Sequence, residues 1–200
     1  MFGLVVLLAI GVYLLISIAV VLWVVRYAKK QNKGTKRWAW SAALVMFLIP
    51  FWDWIPTVAT HQYYCSTEAG FWVYKTPEQW VKENPGVMET LVANEIQVPA
   101  SSKGDQNNWT HVFELNQRFN KVTSHSGPLF LHRWGYESTV IDARTNDVLA
   151  KYVNFYTAQS RDGGGWYGWK FWLATDHCPS NRSDATLYAN YLAQVKGAKK

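Results

Sequence analysis

The first sixty residues contain two long apolar segments separated by a basic one. No charged residue occurs from Phe2 to Val25, a run rich in Leu, Val and Ile. As a helix, this run is about 36 Å long, which is enough to cross a hydrocarbon core of about 30 Å with some tilt. A second apolar run extends from Trp38 to about Ile55. The pattern predicts a two-helix transmembrane hairpin over residues 1–60, with spans of about 2–25 and 38–56.

The segment between the two spans, residues 26–37, predicts the topology of the chain. Its six basic residues, with no acid among them, are Arg26, Lys29, Lys30, Lys33, Lys36 and Arg37. Short loops rich in Lys and Arg stay in the cytoplasm, so we expect the N-terminus and everything after about Trp54 to lie on the far side of the membrane. A cleaved signal peptide is the alternative for the first run. It is disfavoured because the run is long and Met1-Phe2-Gly3 carries no positive side chain.

The net charge of +6 comes almost entirely from this loop. Residues 1–60 contain six basic residues and one acid, whereas residues 61–200 contain fourteen basic and thirteen acidic residues. A basic loop beside anionic lipid needs no further partner, and the remaining charge is too balanced for a nucleic-acid-binding surface. We therefore expect the lipid bilayer as a partner and no nucleic acid.

Aromatic residues mark both ends of the second span. Trp38 and Trp40 stand at its cytoplasmic end, and Trp52 and Trp54 stand at the other, as expected of interfacial belts. Asp53 lies between the outer pair. An acid within the bilayer would be a functional candidate, but at the interface we expect Asp53 to be solvated or hydrogen-bonded to nearby indoles.

The front of the remaining chain, residues 61–200, is expected to be helical. The helix that leaves the membrane is predicted to continue over residues 57–68, with Gly70 as its C-cap. A second helix begins at Thr76, where Gln79 completes a capping box. The Asn-Pro-Gly sequence at residues 84–86 ends it.

Runs rich in β-branched and aromatic residues predict a sheet in the second half of the chain. The clearest signal is a hairpin in which two such runs flank the polar residues 145–147. The predicted strands cover residues 71–75, 111–119, 128–134, 138–144, 148–156 and 169–173.

The predicted fold is a membrane-anchored α+β protein. A polar loop over residues 99–108 is expected to separate the helical front from the sheet. Ser183 or Asp184 caps a last helix that extends to about Val195. The transmembrane hairpin is thus followed by a small antiparallel-sheet domain with flanking helices, over residues 61–200.

The two cysteines, Cys65 and Cys178, both lie on the extracytoplasmic side of the predicted topology. Cysteine pairs in exported, oxidising compartments usually form disulfides, so we expect one here. The competing interpretation is a hydrolase or thiol enzyme around Asp176, His177 and Cys178. It is weaker because adjacent side chains diverge and seldom form a nucleophile–base pair.

No other pattern in the chain is typical of catalysis. The five histidines are scattered without metal-ligand spacing, and no phosphate loop, nucleophile elbow or dinucleotide fingerprint occurs. We therefore assign no catalytic residue, no metal and no cofactor from the sequence.

Residues 163–172 have the most unusual local composition. A candidate binding loop in which exposed rings stack on cell-wall sugars or on a partner comprises Gly163, Gly164, Gly165, Trp166, Tyr167 and Trp169. The alternative is a wide hairpin whose aromatic side chains fill a small core or enter the outer headgroups.

Several short motifs in residues 52–150 make the chain resemble a group of small, functionally unassigned two-pass inner-membrane proteins of proteobacteria. The motifs are Trp52-Asp53, Cys65 with Glu68-Ala69-Gly70, Val73-Tyr74-Lys75-Thr76, Ile141-Asp142-Ala143-Arg144-Thr145 and Val148-Leu149-Ala150. The resemblance implies a bacterial inner membrane and a periplasmic domain, with no implied activity.

From these patterns we expect a non-enzymatic accessory or interaction protein whose periplasmic domain contacts another envelope component, such as a membrane protein partner. The alternative function is a periplasmic ligand- or glycan-binding domain that uses the loop from Gly163 to Trp172.

Overall fold

The computed structural model describes residues 2–94, 98–159, 170–178 and 181–197. It is an α+β structure in which an apolar helix pair precedes a six-stranded antiparallel sheet with flanking helices. The helices are α1 (Phe2–Lys30), α2 (Thr35–Phe51), α3 (Trp54–Thr67), α4 (Pro77–Glu83) and α5 (Asn181–Lys196). The strands are β1 (Gly70–Val73), β2 (Ser101–Gly104), β3 (Trp109–Glu114), β4 (Phe119–Leu129), β5 (Arg133–Asp142) and β6 (Val148–Thr157).

The N-terminal helix α1 is apolar as far as Val25, and most of its side chains are exposed. It is long and apolar enough to cross a membrane, a property shared by membrane anchors and signal sequences. It packs against α2, where the Tyr13 hydroxyl donates a hydrogen bond to the Met46 carbonyl. Helices α2 and α3 meet at an angle of 53° and pass the same test only if they are counted as one bent span.

The strand order is β1-β6-β5-β4-β3-β2, with every neighbouring pair antiparallel. Side chains alternate between the two faces of this sheet. Helices α4 and α5 cover one face, and the core formed there includes Trp80, Phe119, Val140, Leu149 and Tyr188. The opposite face, which carries Arg133, Gly135 and Glu137 of β5, is covered in part by α3.

A buried carboxylate joins α4 to the end of β5. Asp142 is 2 % exposed, accepts a hydrogen bond from the Trp80 indole at 2.9 Å, and forms an ion pair with Arg118 at 2.8 Å. The backbone N–H of Arg144 adds a third contact at 2.9 Å. Burial alone would raise the pKa of Asp142, but these donors and the Arg118 charge outweigh it and lower the pKa below its usual value.

Several local predictions are confirmed. The Thr76 hydroxyl accepts a hydrogen bond from the Gln79 backbone at 3.3 Å, and the Gln79 side chain accepts one from the Thr76 backbone at 3.0 Å, which completes the capping box of α4. The predicted hairpin is the β5–β6 pair.

Two sheet predictions are wrong. The loop expected at residues 99–108 contains strand β2, whose side chains are all exposed, so it lacks the alternation that marks a half-buried strand. Residues 128–134 are not one strand: they comprise the end of β4, the connection over residues 130–132, in which Leu131 and His132 have positive φ angles, and the start of β5. Most of β4 was not predicted because its inward side chains include the polar Thr123 and His125.

Two predictions about helix ends and one about the type of an element are also wrong. Gly70 begins β1, because the backbone N–H of Glu68 already closes α3 on the Tyr64 carbonyl. Residues 171–173 form a 3-10 turn rather than a strand. Helix α5 begins at Asn181, so Ser183 and Asp184 lie inside its first turn and do not cap it.

Candidate functional site

Helix α3 presents a buried polar face to the sheet domain. Asp53 precedes the helix, and Thr57, His61 and Cys65 follow at intervals of four residues, which places all four on one side. Each of the four is less than 9 % exposed. Unpaired buried polar groups are costly, and Asp53 and His61 have polar partners, whereas the Thr57 hydroxyl has none among the described residues.

Asp53 is held by an ion pair with Lys170. Its carboxylate is 2.6 Å from the Lys170 ammonium and 3.4 Å from the Nε2 atom of His132, and the residue is 1 % exposed. The expectation that Asp53 is solvated or bonded to indoles is therefore corrected. No local pattern predicts this pairing, because Lys170 lies 117 residues further along the chain.

The other end of the α3 stripe is covalently attached. Cys65 and Cys178 form a disulfide with a Cα–Cα distance of 5.3 Å, which confirms the predicted bridge. His61 lies 3.4 Å from the Cys65 sulfur and 3.4 Å from the Phe155 carbonyl oxygen, and burial lowers its pKa. Both sulfurs are used in the bridge, so the structure gives no support to a reactive thiol at Cys178.

The side chains of His61, Cys65 and Cys178 have donor atoms within 4.8 Å of one another, a spacing compatible with a metal ion. The atoms are a ring nitrogen of His61 and the sulfurs of Cys65 and Cys178. Metal binding by cysteine requires thiolates, and the disulfide leaves none in this cluster. We therefore assign the cluster a structural role.

A groove of about 530 Å³ lies on the sheet face opposite α4 and α5. Its floor is made by small residues on two neighbouring strands, Ser124 and Ser126 of β4 and Gly135 of β5. Trp72 of β1 and Tyr74, which directly follows this strand, form an aromatic rim and are 39 % and 61 % exposed. The volume lies in the range typical of small-molecule sites.

Arg133 lines this groove beside α3. Its guanidinium carbon lies 3.2 Å from the centre of the Tyr64 ring and 5.4 Å from that of Phe155. The Nε and Nη1 atoms are buried and have no hydrogen-bond partner, and among the described residues no carboxylate forms an ion pair with Arg133. Two further charged residues of the groove, Lys151 and Glu137, form an ion pair with each other at 2.9 Å. Sequence reasoning missed Arg133 because a single Arg at a strand start carries no motif.

The residues of the predicted binding loop, Gly163, Gly164, Gly165, Trp166, Tyr167 and Trp169, lie outside the described residues. The loop's described end is attached to the helix pair. Lys170 contacts Asp53, and the ring of Trp172 packs 4.8 Å from that of Phe51. Phe171 and Trp172 also line an apolar cavity of about 1110 Å³ between α1 and α2.

The other predicted site residues are at the surface of the helix pair. Trp38 is 40 % exposed and contacts the Lys33 ammonium at 5.4 Å. Trp40, Trp52 and Trp54 are exposed too. These positions are compatible with the interfacial role expected for them.

No protein-family model matches this chain, and neither a curated protein nor a solved structure matches it. The function is therefore argued from the chain's own residues.

Proposed function

We propose that this chain is a non-enzymatic, two-pass membrane protein that holds its sheet domain at the extracytoplasmic surface, where the domain contacts another envelope component as an accessory subunit. The proposed spans are the apolar parts of α1 and α2, and the basic residues 26–37, which end α1, connect the helices and begin α2, stay in the cytoplasm. Helix α1 has 29 residues, or about 43 Å of length, and its apolar surface is exposed. The disulfide fits an oxidising compartment for the domain.

The observation that carries the proposal is the double attachment of α3. The Asp53–Lys170 ion pair holds its membrane-proximal end, and the Cys65–Cys178 disulfide holds it twelve residues later, about 18 Å along the helix. No flexible linker separates the anchor from the domain, since α3 follows α2 at once and leads directly into β1.

Such an attachment fixes the height and orientation of the domain above the membrane. A fixed orientation favours contact with a second membrane-bound component, because less freedom remains to be lost when the two associate. It offers little advantage to a domain that only encounters diffusing molecules. The proposal includes a partner in the bacterial envelope, as the sequence resemblance led us to expect.

The test is purification in mild detergent from native membranes with a photo-crosslinking residue at Tyr74, on the rim of the groove. The matched control carries the same residue at Leu187, an exposed position of α5 over the other face of the sheet. We expect one envelope protein to co-purify in stoichiometric amount and to crosslink from position 74 and not from position 187. A protein that purifies alone and crosslinks from neither position would contradict the proposal.

A further inference from the structure

The groove on the open sheet face combines a floor of small residues with an arginine at one end and aromatic side chains on the opposite rim. Its depth comes from the absence of large side chains on the floor. A β-carbon added to Gly135 would lie 3.0 Å from the Ser126 hydroxyl oxygen and 3.7 Å from the Phe155 ring, so the glycine keeps this part of the floor open. The two serine hydroxyls, at Ser124 and Ser126, are available there as hydrogen-bond donors.

Arg133 supplies the positive charge at one end of this floor. The Tyr64 ring lies against the guanidinium plane and restrains its orientation, which reduces the freedom that binding would remove. A guanidinium offers its N–H groups in a fork that matches a carboxylate. In the part of the chain that the structure describes, nothing acidic uses that fork.

The acidic side chains of the groove do not pair with Arg133. Glu137 is paired with Lys151, and Glu68, which is exposed just after α3, forms no ion pair with Arg133. A carboxylate bound beside Arg133 would give the guanidinium the charged partner that the described fold does not supply. Because Nε and Nη1 are buried, the carboxylate meets Nη2 first, and a two-pronged contact requires a small shift of the side chain.

The opposite rim selects for an apolar or aromatic group beside the anion. Trp72 and Tyr74 present exposed ring surfaces to the groove, and such faces pack well against other rings. We propose that the groove binds a carboxylate that carries an adjacent aromatic or apolar group, with Arg133 as the anion-binding residue and Trp72 and Tyr74 as the stacking surface. The proposal goes beyond the accessory function above and does not depend on the identity of a partner.

The experiment is calorimetric titration of the purified full-length protein, in detergent, with phenylacetate and with its neutral amide, phenylacetamide. We expect the acid to bind at least about tenfold more tightly than the amide, because a charge-assisted hydrogen bond to Arg133 is lost in the amide. Arg133→Gln should remove this preference for the acid, and Arg133→Lys should restore it only in part, because an ammonium lacks the planar fork.

Two further variants separate binding from folding. Trp72→Ala, at the exposed rim, should weaken binding of acid and amide alike, since it removes stacking and leaves the charge. Arg144→Gln, at an exposed arginine in the β5–β6 turn, is the matched control and should bind phenylacetate as the unchanged protein does.

A second pair of probes distinguishes the source of the carboxylate. These probes are the tripeptide Ala-Ala-Phe with a free C-terminus and the same peptide as its C-terminal amide. Tighter binding of the free peptide than of phenylacetate supports a peptide C-terminus as the ligand, and the reverse order supports a small free acid. Equal affinity for acid and amide in both pairs, or unchanged affinity in Arg133→Gln, would overturn the proposal, whether or not a protein partner is found.

Discussion

Replacement of Asp53 by Asn should loosen the attachment between the apolar helix pair and the sheet domain. The change keeps the shape of the side chain and removes the charge that faces the Lys170 ammonium at 2.6 Å. The side chains of Asp53 and Lys170 are 2 % and 15 % exposed, so water screens this pair poorly.

The expected size of the effect follows from this burial. Breaking one partner of a buried ion pair costs about 3–5 kcal/mol, mostly because the other charge stays buried without compensation. Lys170 keeps part of its contact with solvent, so we expect the lower end, about 3 kcal/mol. At about 2–4 °C per kcal/mol, the unfolding midpoint should fall by about 6–12 °C.

The assay is thermal unfolding of the full-length protein in detergent, followed by near-ultraviolet circular dichroism. Asp53→Asn combined with Lys170→Met removes both charges and should recover most of the loss, because no buried charge is left alone. The matched control is Glu83→Gln, which breaks the exposed Lys75–Glu83 pair and should leave the midpoint unchanged. If Asp53→Asn unfolds at the same temperature as Glu83→Gln, the argument for a buried, stabilising pair is wrong.

Two other predictions concern the domain. Replacing Cys65 and Cys178 by Ser should lower the free energy of unfolding by about 4.8 kcal/mol in the chain-entropy model for a loop of 113 residues, and equal denaturant midpoints with and without the bridge would contradict this. The pKa of Asp142 is lowered in the folded state, so its contribution to stability is present above the unfolded value of about 3.9 and is lost as the pH falls through the folded value. Unfolding midpoints measured from neutral to acidic pH should therefore fall less steeply in Asp142→Asn than in the unchanged protein, and parallel curves would refute the assignment.

Local signals in the sequence predicted several parts of this fold well. The capping box at Thr76 and the β5–β6 hairpin depend on residues only a few positions apart, so short segments of sequence determine their geometry. The disulfide could also be predicted from the sequence, because the chain has only two cysteines and the predicted topology places both outside the cytoplasm.

The sheet was harder to predict where its strands are polar or exposed. Strand β2 joins the edge through backbone hydrogen bonds and one side-chain hydrogen bond between Ser102 and His111, and its side chains are all exposed. Strand β4 buries Thr123 and His125 in place of a hydrophobic alternation. Edge pairing and hydrogen-bonded polar residues leave no periodic apolar pattern in the sequence. The sequence pattern therefore did not predict β2 or most of β4, and only the folded structure shows them.

By itself, the sequence determined the long apolar helix, the basic loop that follows it, the α+β class and the cysteine pair. Each of these depends on composition or on neighbouring residues. The tertiary structure decided the buried pairing of Asp53 with Lys170 and the position of Arg133 against Tyr64 in an open groove. These contacts join residues about seventy to more than a hundred positions apart, and they exist only because the strand register and the docking of α3 bring those residues together.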